Sequence, residues 1–242
     1  MPTEAIDTLV IGAGQAGLAM SEHLGNQGVS HLILERRRIA ERWRTQRWDS
    51  LVANGPAWHD RFPTREFPTG PDDFPTREDV IRYLEDHARA IDAPVRCDVE
   101  VTSVREKTRG SGFMVETSAG TFESRNVVVA TGPFQRPLIP PVVPEQTSVL
   151  QMHSSAYRNP DRLPAGAVLV IGAGSSGSQI ADELLREGRS VYLSIGPHDR
   201  PPRRYRGKDY CHWLGVLGKW DAEPPDPSTP HVTIAVSGAY GG

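Results

Sequence analysis

Two short stretches of the sequence have the residue types and the spacing to hold a diphosphate. In the first, the apolar run Thr8-Leu9-Val10-Ile11 leads into Gly12-Ala13-Gly14-Gln15-Ala16-Gly17 and then into residues at helical spacing, which reads as strand, tight turn and helix. Gly12 permits the turn, Gly14 lets a pyrophosphate approach the backbone, and Gly17 lets the helix lie close to the strand. The free N–H groups of the helix start, where Gln15 and Ala16 stand, face the anion. One such motif is weak evidence. A second copy, Val168-Leu169-Val170-Ile171 followed by Gly172-Ala173-Gly174-Ser175-Ser176-Gly177, begins 160 residues later, and two copies imply two dinucleotides.

The strands beyond the two loops end differently. After the first loop, the strand His31-Leu32-Ile33-Leu34 ends in Glu35, 18 residues beyond Gly17. A carboxylate there accepts hydrogen bonds from both hydroxyls of an adenosine ribose and repels a 2′-phosphate, so the site suits FAD or NAD rather than NADP; the plain alternative is a solvated strand end. After the second, Val191-Tyr192-Leu193 ends without an acid, and Ser194 is followed by Arg200, Arg203, Arg204 and Arg206. A 2′-phosphate wants such hydroxyl and guanidinium donors, which assigns FAD to the first site and NADPH to the second, against the alternative of a solvated basic loop.

The surrounding residues supply the elements that position these loops. Ala16, Ala19, Met20 and Leu24 recur at helical spacing up to Gly28, which sits where a glycine cap belongs. Residues 36–76 form a long irregular stretch in which Trp43, Trp48 and Trp58 argue against disorder; Phe-Pro-Thr-Arg-Glu occurs in it at 62–66 and again at 74–78, too short for a structural repeat. Thr76-x-x-Asp79 resembles a capping box, and the helical pattern it opens runs to Ile91 with His87 on its core face. Val99 to Arg105, Phe113 to Thr117 and Thr121 to Glu123 form an antiparallel meander leading into a buried strand, Asn126-Val127-Val128-Val129-Ala130-Thr131-Gly132, that stops at a glycine beside the first site.

Five prolines between Pro133 and Pro144 mark a crossover, giving domains at 1–145 and 146–242. In the second, Ile180, Leu184 and Leu185 continue the helix and Gly188 ends it. Asp221 to Pro230 is a Pro-rich loop, His231 to Val236 a strand, and the Gly-Ala-Tyr-Gly-Gly ending reads as an interruption.

Composition excludes several classes. A net charge of −3 supplies no general attraction to nucleic acid or anionic membrane. Cys97 and Cys211 form no disulfide framework and no C-x-x-C, which points to a reducing, cytoplasmic setting. Glu4 and Asp7 precede the first apolar stretch, unlike a secretion signal, and no window approaches a membrane span. Cys211-His212 and His59-Asp60 are adjacent pairs without the spacing of a metal site.

The two Gly-rich units, Glu35 after the first and Ala130-Thr131-Gly132-Pro133 before the second make the chain resemble the two-dinucleotide flavoproteins. Glu41-Arg42-Trp43-Arg44-Thr45-Gln46-Arg47-Trp48-Asp49-Ser50-Leu51, the stretch Ala130 to Gln135, His153-Ser154-Ser155-Ala156-Tyr157-Arg158-Asn159-Pro160 and the stretch Pro202 to Asp209 narrow the resemblance to the class B flavoprotein monooxygenases, the flavin-containing and Baeyer–Villiger group, and especially their small CzcO-like bacterial relatives. The resemblance implies an α/β chain of two Rossmann-like dinucleotide-binding domains, a glutathione reductase-like fold with a small meander in the first and an incomplete C-terminal part.

It also implies a cycle. NADPH reduces FAD, molecular oxygen adds at the flavin C4a position, and NADP+ stays bound to shield the hydroperoxide until a small organic substrate takes one oxygen atom. Asn54 matches an Asn that lies by the flavin and the nicotinamide in flavin-containing members, where it donates a hydrogen bond; an Asn turn before Gly55-Pro56 is the alternative. Arg36, Trp43, Val101, Ala130, Thr131 and Gly132 join the FAD site, and Ser194, Arg200, Arg203 and Arg204 the NADPH site; no metal is expected, and a homodimer is admissible. Glu41-Arg42 stands where relatives often have Gly-Gly, and the Baeyer–Villiger fingerprint keeps only His153. The late segment that completes the flavin domain in relatives has no counterpart here, so the alternatives are a pyridine-nucleotide oxidoreductase of the ferredoxin- or disulfide-reductase type and a truncated nucleotide-binding remnant.

Overall fold

The computed structural model describes residues 3–108, 110–142, 144, 148–197 and 201–222. In chain order its elements are β1 (Glu4–Ile11), α1 (Gln15–Asn26), β2 (His31–Leu34), α2 (Glu41–Thr45), α3 (Ala57–Asp60), α4 (Arg77–Ala90), β3 (Val95–Arg96), β4 (Val101–Glu106), β5 (Phe113–Thr117) and β6 (Gly120–Val129). After these come β7 (Val168–Ile171), α5 (Ser175–Arg186), β8 (Val191–Ser194), β9 (Arg204–Tyr205), β10 (Lys208–Asp209) and α6 (Tyr210–Val216). The chain is α/β and divides into two units, Met1–Gln46 with Val80–Glu145 and Arg47–Asp79 with Gln146–Gly242.

The first unit is built on one six-stranded sheet in the order β3-β2-β1-β6-β5-β4. β1 pairs in parallel with β2 and with β6, so its inner residues Leu9 and Val10 are fully covered, as a central parallel strand requires. Leu9, Leu34, Val99, Val115 and Phe122 form a core cluster on which Val101 also packs. Each such leucine adds about 1.5–3 kcal/mol through burial.

The meander is present as β4, β5 and β6, but its third strand and the strand expected from Asn126 are one element, β6. Ser124 and Arg125, the residues left between the two expected strands, are in the sheet positions of a continuous strand that pairs with β5 over Gly120–Ser124 and with β1 as far as Val129. Beyond Ser124 that strand has, among the described residues, β1 alone as a ladder neighbour, and Val129 is exposed rather than buried.

The second unit contains the parallel pair β7–β8 bridged by α5. Ile180, Ala181 and Leu184 of α5 are buried, whereas Leu169, Ile171 and Tyr192 on the strands are exposed. Residues 47–79 belong to this unit and are held by backbone bonds across the loop: Ala53 N–H donates to Pro75, Ala57 to Asp73 and Arg77 to Leu51, at 2.8–3.0 Å. Trp48, Phe62 and Phe67 are buried, so the long irregular stretch is packed. The capping box is present: Thr76 N–H donates to Asp79 Oδ2 (3.1 Å) and Asp79 N–H to Thr76 Oγ1 (3.2 Å). His87 is 1% exposed beside Glu22, a core position. The expected domain junction at 145 and 146, Arg200 and the strand expected at 231–236 lie outside the described residues.

Candidate functional site: two glycine loops

The two loops match in their bonding. Gly12 N–H donates to Leu34 O (2.8 Å) and Gly172 N–H to Ser194 O (2.9 Å), which ties each turn to the end of the next strand. Leu18 N–H donates to Gly14 O and Ser178 N–H to Gly174 O, both at 3.0 Å, starting each helix directly after the third residue of the motif. Gly12 and Gly172 have φ of 106° and 100°, a region L side chains rarely adopt. A Cβ on Gly17 would overlap the Gly12 carbonyl oxygen, and one on Gly177 the Gly172 carbonyl oxygen. A Cβ on Gly14 or Gly174 meets nothing within 4 Å. Each loop therefore closes strand against helix at its last glycine and leaves open space at its middle one, where a diphosphate would lie against the backbone.

Around the first loop the structure gathers several of the expected residues. Glu35 Oε2 accepts from Ala13 N–H and Oε1 from Arg37 N–H, both at 2.9 Å. An ionised carboxylate has about four lone-pair positions, so these two bonds leave capacity for two ribose hydroxyls. Ala130 N–H donates to Ile11 O (2.9 Å), and the Ala130 carbonyl oxygen lies 2.7 Å from where a Gly12 Cβ would stand, which brings the Ala130-Thr131-Gly132 turn over the loop. Gln15 and Ala16 are exposed at the helix start.

Arg42, where relatives often have glycine, donates to Phe134 O and to Gln135 Oε1, and Gln135 Nε2 donates in turn to Gly132 O (3.0 Å). Burial, and then the neighbouring Arg36, pull the Arg42 guanidinium below its usual range. Trp43 is half-buried on α2, and Arg36 makes an exposed ion pair with Glu100 at 3.6 Å. The side chain of Val101 is spent on the core cluster.

Around the second loop, Ser175 and Ser176 open α5, and Ser194 is exposed at the strand end. Arg203 behaves differently from its neighbours: it is 6% exposed, paired with Asp209 through Nε (2.8 Å) and Nη2 (3.0 Å), and stacked over Phe74 at 4.7 Å. That guanidinium is committed to fastening the β9–β10 hairpin. Arg204 and Arg206 on the hairpin are exposed.

Asn54 belongs to the second unit, and its Oδ1 lies 3.3 Å from Nε2 of Gln179 on α5. Asp60 holds the same turn, with Oδ2 accepting from Gly55 N–H (3.1 Å) and Oδ1 2.7 Å from His59 Nδ1. Sequence reasoning missed both Gln179 and Asp60. The signal for Gln179 was a polar residue beside Ile180 and Ala181 on the buried face of an amphipathic helix; for Asp60 it was a carboxylate five residues beyond Gly55, at the end of α3. His153 serves a local turn, Nδ1 accepting from Ser155 N–H at 3.1 Å. Among the described residues no group of three His, Cys, Asp or Glu is placed to hold a metal ion, and no helix is long and apolar enough to cross a membrane.

The pattern of the pyridine nucleotide-disulphide oxidoreductases matches residues 9–214, which includes both loops. The chain belongs to this family. Within it, the chain is 42% identical over 216 residues to an uncharacterized CzcO-like oxidoreductase of Geobacillus kaustophilus, covering 88% of this chain and 61% of that protein. It is 30% identical over 191 residues to the probable indole-3-pyruvate monooxygenase YUCCA1 of Arabidopsis thaliana, covering 77% and 46%. A solved flavin-containing monooxygenase from Stenotrophomonas maltophilia shares the fold, with a TM-score of 0.74 at 24% identity over 99% of this chain and 75% of that one. The chain thus spans about three-fifths of the CzcO-like relative and under half of the plant one. The chain is thus a member of this family built on the two-dinucleotide fold, and is similar to flavin-containing monooxygenases.

Proposed function

We propose that this chain binds FAD at Gly12–Gly17 and NADPH at Gly172–Gly177, and serves a monooxygenase reaction that inserts one oxygen atom from O2 into a small organic substrate. The observation that carries the reading is the paired open space at Gly14 and Gly174, each set in a loop whose last glycine is locked by close packing. The residues fit the groups: Glu35 has acceptor capacity for a ribose diol, and no carboxylate stands at Ser194 to repel a 2′-phosphate. Residues 1–145 are assigned to FAD and 146–242 to NADPH, with Arg47–Asp79 contributing Asn54 to the latter.

Bound flavin supplies the hydride acceptance and oxygen activation that side chains lack. The protein's part is to orient: Gly12–Gly17 and Ala130–Gly132 hold the FAD, Arg36 and Trp43 flank it, Ser175, Ser176, Ser194 and Arg204 hold the NADPH, and Asn54 offers a side-chain N–H donor. The relatives' names support oxygen insertion, since the plant protein is called a probable indole-3-pyruvate monooxygenase. A thiol-based reductase reading finds no support in the cysteines. Burial pushes the Cys211 thiol up to about 11, with Asp209 adding to it, and burial also raises Cys97, whereas reactive thiols are held low. The two free cysteines suit a cytoplasmic setting.

The test is the visible spectrum of the purified chain mixed with FAD and then with NADPH or NADH. The reading expects a bound-flavin spectrum that NADPH bleaches faster than NADH, and an oxygenated product when a soft nucleophile and air are added. A colourless protein after FAD addition would contradict it, and NADPH oxidation yielding only hydrogen peroxide would reduce it to an oxidoreductase without oxygenation.

A further inference from the structure

The helix that carries the second glycine loop also holds the Asn54 turn by a single side chain. Gln179 is the fifth residue of α5 and is 2% exposed. Its Nε2 lies 3.4 Å from Val52 O and 3.3 Å from Asn54 Oδ1, and its Oε1 is buried with no hydrogen-bond partner among the described residues. The Val52 carbonyl can only accept, so Gln179 must turn its NH2 group toward it. The same NH2 group faces Asn54, which must answer with its oxygen. The NH2 of Asn54 is thereby turned away from Gln179, on a residue exposed at the surface of the unit.

Packing does not account for this arrangement. An unsatisfied buried acceptor destabilises a fold, and an apolar side chain of similar shape would avoid it. Nor do the backbone N–H groups of the turn depend on Gln179, because Ala53 N–H is bonded to Pro75 O at 2.8 Å and Gly55 N–H to Asp60 Oδ2 at 3.1 Å. What the amide of Gln179 adds is a choice between the two flips of Asn54, which differ little in shape and are opposite in hydrogen-bonding sense.

We infer that Gln179 is a positioning residue that fixes the sense of the Asn54 amide, so that a donor and not an acceptor faces whatever binds beside it. The value of that donor rests on the role proposed for Asn54; the orientation itself does not. Because Gln179 lies two residues beyond Gly177, the segment that seats a diphosphate also sets the polarity of this amide.

The experiment reads side-chain amides in 15N–1H correlation spectra of the full chain, with the Asn54 pair assigned by its loss in Asn54→Ala. Two variants are compared with the parent. Gln179→Glu replaces the donor by an acceptor and should flip Asn54, shifting its NH2 protons downfield and slowing their exchange with water. Gln179→Met removes the amide at similar length and should move the Asn54 signals toward the free-amide position, while the backbone amide of Gly55, held by Asp60, stays put. Unchanged Asn54 signals in both variants would overturn the inference, as would a backbone shift at Gly55 as large as those of the side chain, which would mark a merely structural role. A separate arm adds FAD and NADP+ to the parent. If the Asn54 signals then stay still, the role proposed for Asn54 fails, while the orienting role of Gln179 is still judged by the two variants.

Discussion

Gly12–Gly17 and Gly172–Gly177 share the backbone bonds that close strand, turn and helix, yet they sit in different surroundings. The first loop lies under the Ala130 turn, at one end of a six-stranded sheet, and has the Glu35 carboxylate on its Ala13 amide. The second belongs to a two-stranded pair whose Leu169, Ile171 and Tyr192 are exposed, and a Cβ on Gly172 would meet nothing within 4 Å. The difference separates two jobs. On the proposed assignment the glycines specify that a diphosphate fits, whereas the residue at the end of the second strand of each unit, Glu35 in one case and Ser194 in the other, selects which dinucleotide carries it.

The largest effects come from the glycines that both loops use for packing. Gly17→Val and Gly177→Val each place a side chain on a carbonyl oxygen, and each should lose well over ~4 kcal/mol, the range in which a unit ceases to fold. Circular dichroism and soluble yield check this, and the comparison breaks if either variant unfolds like the parent. Next is Arg203→Ala, which leaves Asp209 buried without its partner and should destabilise the second unit by about 3–5 kcal/mol, read as a lower denaturation midpoint. Its effect on coenzyme use should be the same for NADPH and NADH.

Arg204→Ala acts on selectivity instead. Losing an exposed charge-assisted contact to the 2′-phosphate should weaken NADPH by ~1.5–3 kcal/mol and leave NADH alone, as titration calorimetry with both coenzymes would show. An equal loss for both would remove Arg204 from the 2′-phosphate site. The smallest and most pointed change is Ser194→Glu, which gives the second loop the strand end of the first. It should cost NADPH about tenfold in affinity while NADH holds or gains, and no change in the ratio would mean that the strand end does not select.

Much of this was legible in the residues. The strand, turn and helix at each loop, the capping box at Thr76 and the core placement of His87 follow from local spacing and capping chemistry. So does the contact of Glu35 with its loop, because a parallel βαβ unit brings the end of the second strand beside the turn. What could not be read depends on distant partners. Arg203 and Arg204 are adjacent and chemically identical, and only the fold shows that one is clamped by Asp209 and Phe74 while the other faces solvent. The union of two expected strands in β6 was hidden by the polar pair Ser124 and Arg125 between them, whose place in the ladder depends on the strands they face. Gln179 reaches the Asn54 turn from 125 residues away in the sequence, a contact that no local pattern encodes.

The central claim is that each loop seats its own dinucleotide, and one measurement addresses it directly. The parent chain, Gly14→Val and Gly174→Val are titrated with FAD in the visible and then with NADPH, with circular dichroism confirming that all three are folded, as the empty space around both Cβ positions leads us to expect. Two separate seats predict a bound-flavin spectrum for the parent and for Gly174→Val, no bound flavin in Gly14→Val, and NADPH bleaching in the parent alone. Flavin retained by folded Gly14→Val, or NADPH bleaching retained by folded Gly174→Val, would contradict the claim.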